Sequence, residues 1–133
     1  MRSVFLIFEE SKKKKIIEFL NNYCDNSDSS EKQWIVSVHD DACLYIYFNS
    51  CDDFMPFPKD FDNKVVLLQI DISGRHDGTK KVTELIHKLF SVEPGYACDD
   101  YSEHFWTDKE IQDGILVEGH VFFDFKGWYK ESN

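Results

Sequence analysis

A histidine beside a carboxylate is the pairing in this chain best suited to chemistry. Imidazole titrates near neutral pH, and an adjacent acid can orient it, share its proton or join it in holding a divalent cation. The last third of the 133 residues offers the pairing twice. His104 lies close to Asp99, Asp100 and Glu103, and His120 stands four positions before Asp124. On a helix the second pair would share a face and could ligate a metal. That defines one reading, a metal-dependent hydrolase or nuclease using His104, His120, Asp124 and nearby acids. The surrounding string HVFFDF is strand-like instead, and on a strand the polar side chains form only a rim. His76 beside Asp77 is a third candidate base, but in the turn SGRHDG simple exposure explains it.

Nucleophilic and phosphate-binding motifs are missing. The chain has no Gly-x-Ser-x-Gly, and no cysteine carries a recognisable family signature. GRHDGTK lacks the lysine–serine/threonine ending of a phosphate loop, and Arg75 reads as a turn residue paired with an acid. Cys24, Cys43, Cys51 and Cys98 are spread without a Cys-x-x-Cys pair, which argues against a zinc ribbon or redox motif. The expectation is no catalytic residue, no metal ligand and no cofactor.

The stretch DDYSEHFWTDKEI poses a different question, because it mixes acids that want water with aromatics that want burial. The whole chain has a formal charge of −10 and a pI near 4.8, which disfavours direct contact with nucleic-acid phosphates. From position 91 onward ten acids face three bases, a balance of −7, and nine of the 21 aromatics fall in the same segment. An acidic face interleaved with aromatics can steer a basic partner at long range and then anchor it. Natural targets for such a face are nucleases, whose active sites are positive because they hold RNA or DNA.

These residues need elements to position them. At 133 residues and 42% hydrophobic, the chain is long and apolar enough to form a single domain over 1–133 with one core. Residues 4–8 form a continuous apolar run that reads as a buried strand. Ile16, Ile17, Phe19, Leu20, Tyr23 and Cys24 mark one face of a helix, with Lys12, Lys13, Lys14 and Lys15 at the end where the helix dipole disfavours them. Residues 34–38 and 43–48 alternate at period two like a hairpin, and 65–72 is a further strand. Pro56 and Pro58 make 54–63 a surface excursion. Val82, Leu85, Ile86, Leu89 and Phe90 form the stripe of a second helix that Pro94-Gly95 ends. Thr107 to Glu110 fits a capping box, with Trp106 and Ile111 at hydrophobic-staple spacing and Gly114 as the stop.

The expected class is therefore α+β: an antiparallel sheet of about four strands in the order β-α-β-β-β-α, with two main helices on one face and a short C-terminal helix. No run approaches the roughly 20 apolar residues of a membrane span, and the short apolar run at 4–8 meets Glu9 and Glu10 at once. A cytoplasmic protein with reduced cysteines is expected, without membrane contact.

The string SGRHDG, the helix after it, Asp99-Asp100-Tyr101 with FWTDKEI, and finally GHVFFDFKGWY together resemble small bacterial immunity proteins. Such proteins are encoded beside polymorphic toxins, including those of contact-dependent growth inhibition. The resemblance covers roughly the C-terminal half. It implies a cytoplasmic antidote that binds the C-terminal domain of a cognate toxin, an RNase or DNase, and blocks its active site without touching nucleic acid itself. Charge and aromaticity single out Asp99, Asp100, Tyr101, Glu103, Trp106 and Asp113 as partner-binding residues, with Tyr101 and an exposed edge of Trp106 as apolar anchors.

Overall fold

The computed structural model describes residues 2–24, 26–27, 33–39, 42–49, 64–72, 78–99 and 103–124. Strand β1 (Arg2–Glu9) leads through a 3-10 turn at Glu10–Lys12 into helix α1 (Lys13–Tyr23). Then come the two-residue β2 (Asn26–Ser27), β3 (Gln33–His39), β4 (Ala42–Asn49) and β5 (Val65–Ile72). Helix α2 (Thr79–Val92), β6 (Tyr96–Asp99) and the short α3 (Asp108–Asp113) complete the order. The strands form one sheet in the order β2-β3-β4-β5-β1-β6, and every neighbouring pair is antiparallel. The α+β class, the antiparallel sheet and the helices are as the sequence leads one to expect. The sheet is wider than about four strands because β2 and β6 flank the expected set.

Burial explains the order. Strand β1 pairs on both sides, with β5 and β6, and its Val4, Leu6, Ile7 and Phe8 are fully buried. An unbroken apolar run is what a central strand covered on both faces requires. Trp34, Val36, Leu44, Ile46, Leu68, Ile70 and Ile72 join Val4, Leu6 and Phe8 on one face of the sheet. Against them pack Ile16 and Leu20 of α1 and the five-residue stripe of α2. Each fully buried aliphatic side chain contributes about 1.5–3 kcal/mol, so the stripe holds α2 firmly. The lysines at the start of α1 are tolerated through tertiary contacts. Lys12 and Lys15 reach the buried carboxylate of Glu93 at 3.6 and 3.3 Å, and Lys13 lies over the Phe48 ring.

The opposite face carries a smaller cluster of Ile7, Val65, Leu67 and Cys98, with Phe5 and Phe105 packed against it. Beside it, the buried Asp71 accepts hydrogen bonds from Ser3 (2.6 Å), Tyr47 (2.7 Å) and Gln69 (2.7 Å). These bonds tie β1, β4 and β5 together on the face without the main helices. Among the described residues, no helix is long and apolar enough to cross a membrane. The excursion at 54–63, most of the turn SGRHDG with Arg75 and His76, and the aromatics from Phe125 to Tyr129 lie outside the described residues.

Candidate functional site

Strand β6 brings the acidic segment to the edge of the sheet, and a backbone bridge then fixes the approach to α3. Ala97 and Trp106 exchange two N–H···O bonds of 2.8 Å, which sets Trp106 against the sheet edge. Next comes α3 with the cap its sequence encodes. Thr107 Oγ1 accepts from the Glu110 amide (3.2 Å), Glu110 Oε1 accepts from the Thr107 amide (3.0 Å), and Gly114 ends the helix at φ 65°. Burial works against ionisation of Glu110. The Thr107 amide and His104, whose Nε2 lies 3.1 Å from Oε1, outweigh it and hold the carboxyl below its usual range.

After α3 the chain makes a tight hairpin. Val117 and His120 exchange two backbone hydrogen bonds across Glu118 and Gly119, which have φ 55° and 86°. Two consecutive positive φ values mark a type I′ turn, which matches the right-handed twist of paired strands. Its inner side is pinned at several points. His120 is buried and its Nδ1 lies 3.0 Å from Asp124 Oδ2. The Phe123 amide, at φ 54°, donates to Asp99 Oδ2 (2.8 Å), and the Phe123 carbonyl accepts from the Thr79 hydroxyl (3.1 Å). Phe122 packs edge-on against Trp106 at 5.5 Å.

Two of the expected partner-binding residues are therefore interior. Asp99 is 7% exposed and its carboxylate holds the Phe123 backbone, so it serves the architecture of the hairpin. Trp106 is 1% exposed, and the open edge expected of it does not exist, because its indole fills the core against Phe122 and the His104 ring. Its indole N–H has no hydrogen-bond acceptor among the described residues. Glu103 and Asp113 are exposed, and Asp100 and Tyr101 lie outside the described residues.

The carboxylates beside histidines are also arranged differently from their spacing in sequence. His104 pairs with Glu110 across the cap, six positions on. His87 of α2 reaches Asp108 at 2.9 Å and ties α2 to α3. His120 and Asp124 do meet, but across a turn rather than on a helix face. No group of three His, Cys, Asp or Glu side chains that could hold a metal occurs among the described residues. Burial first, and then neighbouring Asp99, push the Cys98 thiol up to about 12, which disfavours the thiolate.

Segment 103–124 presents an acidic surface. It carries Glu103, Asp108, Glu110, Asp113, Glu118 and Asp124 against Lys109 alone, and none of the six acids is buried. The lysines of the helix layer, Lys12 to Lys15, Lys80, Lys81 and Lys88, belong to α1, α2 and the turn before α1. Set into the acidic segment are two exposed aliphatic side chains, Leu116 (66%) and Val121 (39%). Neither is aromatic, and Glu-Gly between them is not a usual hairpin dipeptide, so the sequence alone does not single them out. No family model matches this chain, and neither a curated protein nor a solved structure shows significant similarity to it.

Proposed function

We propose that this chain is an immunity protein, a non-enzymatic inhibitor that binds a cognate toxin domain in the cytoplasm. Its acidic C-terminal surface covers the toxin's cationic active site, that of an RNase or DNase. The supporting observation is the unburied set of six acids against one lysine over 103–124. The buried acids Glu93 and Asp99 stand outside that segment and serve the fold. Charge concentrated on one segment accelerates encounter with an opposite charge by roughly 10- to 1,000-fold at low salt. Of the expected charges, Glu103 and Asp113 remain to meet the partner and Asp99 drops out, because they are in water and Asp99 is not.

The experiment is a binding and nuclease-inhibition assay with the toxin domain encoded beside this chain, run across a range of salt. Wild-type affinity should fall as salt rises. The double reversal Glu103→Lys/Asp113→Lys should slow association and flatten that dependence. Unchanged affinity and an unchanged salt slope in the double variant would remove this surface from the interface.

A further inference from the structure

Exposed aliphatic side chains gain importance when the backbone holds them together. Val117 and His120 are the hydrogen-bonded pair that closes the two-residue turn, and both of their side chains face the body of the protein. Leu116 and Val121 directly flank this isolated bridge, and both are exposed. Each is one residue from the bridged pair, so the turn presents the two apolar side chains together. They are two of only three large hydrophobic side chains found exposed among the described residues, the third being Val92 at the end of α2.

The patch is rigidly presented. Asp99 and Thr79 hold the Phe123 backbone, Asp124 holds His120, and Phe122 is wedged against Trp106. Glu118 is kept at φ 55° at the tip, where a glycine or asparagine would sit with less strain. Glu118 at the tip of the turn and Asp113 at the end of α3 are exposed acids of the same segment. A preorganised apolar contact accompanied by acids is complementary to an apolar depression bordered by lysine and arginine.

On the premise that the chain is a toxin-binding immunity protein, we propose that hairpin 116–121 is the apolar anchor of the interface. Leu116 and Val121 enter an apolar depression on the toxin domain, and Asp113 and Glu118 meet the basic residues around it. The acids then govern the approach, and the hairpin governs how long the complex lasts.

The test measures association and dissociation rates with the purified toxin domain encoded beside this chain, at low and high salt. Three forms are compared: wild type, Leu116→Ser/Val121→Ser, and Glu103→Lys/Asp113→Lys. The serine pair should weaken binding by roughly tenfold or more through faster dissociation, with the wild-type salt slope retained. The lysine pair should act mainly on association and on the slope. Hydrogen exchange on the wild-type complex supplies a readout that no substitution disturbs, and new protection is expected at the Glu118, Gly119 and Val121 amides. Wild-type affinity in the serine pair, or no new protection over 116–121, overturns the hairpin assignment and leaves the acidic surface standing. Failure of the wild type to bind overturns both. A wild-type dimer that the serine pair dissolves also overturns the assignment, because the hairpin would then belong to a second copy of this chain.

Discussion

Replacing Asp99 is the perturbation that best separates architecture from recognition. The carboxylate is 7% exposed and accepts the Phe123 amide at 2.8 Å, so Asp99→Ala removes a charged acceptor from a buried donor. A hydrogen bond to a charged group contributes about 1.5–3 kcal/mol, and an orphaned buried N–H carries a penalty of similar size. The expected loss for the alanine variant is about 2–3 kcal/mol. At roughly 4 °C per kcal/mol for a domain of this size, the melting temperature should fall by about 8–12 °C. Asp99→Asn keeps an acceptor oxygen and should lose only about 1 kcal/mol. Urea unfolding followed by circular dichroism gives the free energies, and an unchanged slope would confirm that only stability has moved. If the proposed toxin-binding function holds, Asp99→Asn should, well below its melting temperature, bind the toxin domain as the wild type does. The architectural role fails if Asp99→Ala melts within about 1 °C of wild type, far less than the shift expected for a lost buried hydrogen bond. It fails equally if Asp99→Asn keeps its stability and loses affinity.

Gly95 tests the approach of the α2–β6 connection to the central strand. An alanine Cβ there would lie 2.5 Å from the Ile7 carbonyl oxygen and 2.8 Å from the Phe8 ring, and Ile7 is paired on both sides. Gly95→Ala should therefore cost about 2 kcal/mol or more by urea unfolding, and a neutral result would rule out that close approach. Glu118→Asn should work in the opposite sense, because asparagine tolerates φ near 55° better than glutamate does. A gain of about 0.5–1 kcal/mol is expected, and a loss would mean that the Glu118 side chain supports the fold. Burial, together with the hydrogen bond and negative charge of Asp71, pushes the Tyr47 phenol up to about 12. An unfolded phenol titrates near 10, so this contribution to stability is complete below about pH 10 and fades as pH rises through about 12. Tyr47→Phe should lower stability at neutral pH by about 1 kcal/mol and delete the latest step of an ultraviolet tyrosinate titration. A retained late step would assign it to another tyrosine.

Local pattern carried most of the architecture. Period-two alternation located β3 and β4, the apolar run located the core of β1, and the helical stripes located α1 and α2. Each of those signals is written by neighbours along the chain. The capping box of α3 was legible down to Thr107, Glu110 and Gly114 for the same reason. Strand β6 was not, because Tyr-Ala-Cys-Asp has no pattern of its own and is a strand only where β1 offers an unpaired edge. Within the acidic segment, composition established that charge and aromatics were concentrated there. It could not say which members face water. Burial depends on residues distant in sequence: Asp99 turns inward because the Phe123 amide, 24 positions on, needs an acceptor. Trp106 turns inward because β6 docks its backbone beside Ala97 and Phe122 packs against its ring. The sequence by itself determined the three helices, strands β1, β3, β4 and β5, the helix cap and the negative charge of the last third. Only the tertiary structure decided that, over 103–124, the large apolar side chains left in water are Leu116 and Val121, because solvent exposure is a property of the assembled surface and no single stretch of chain contains it.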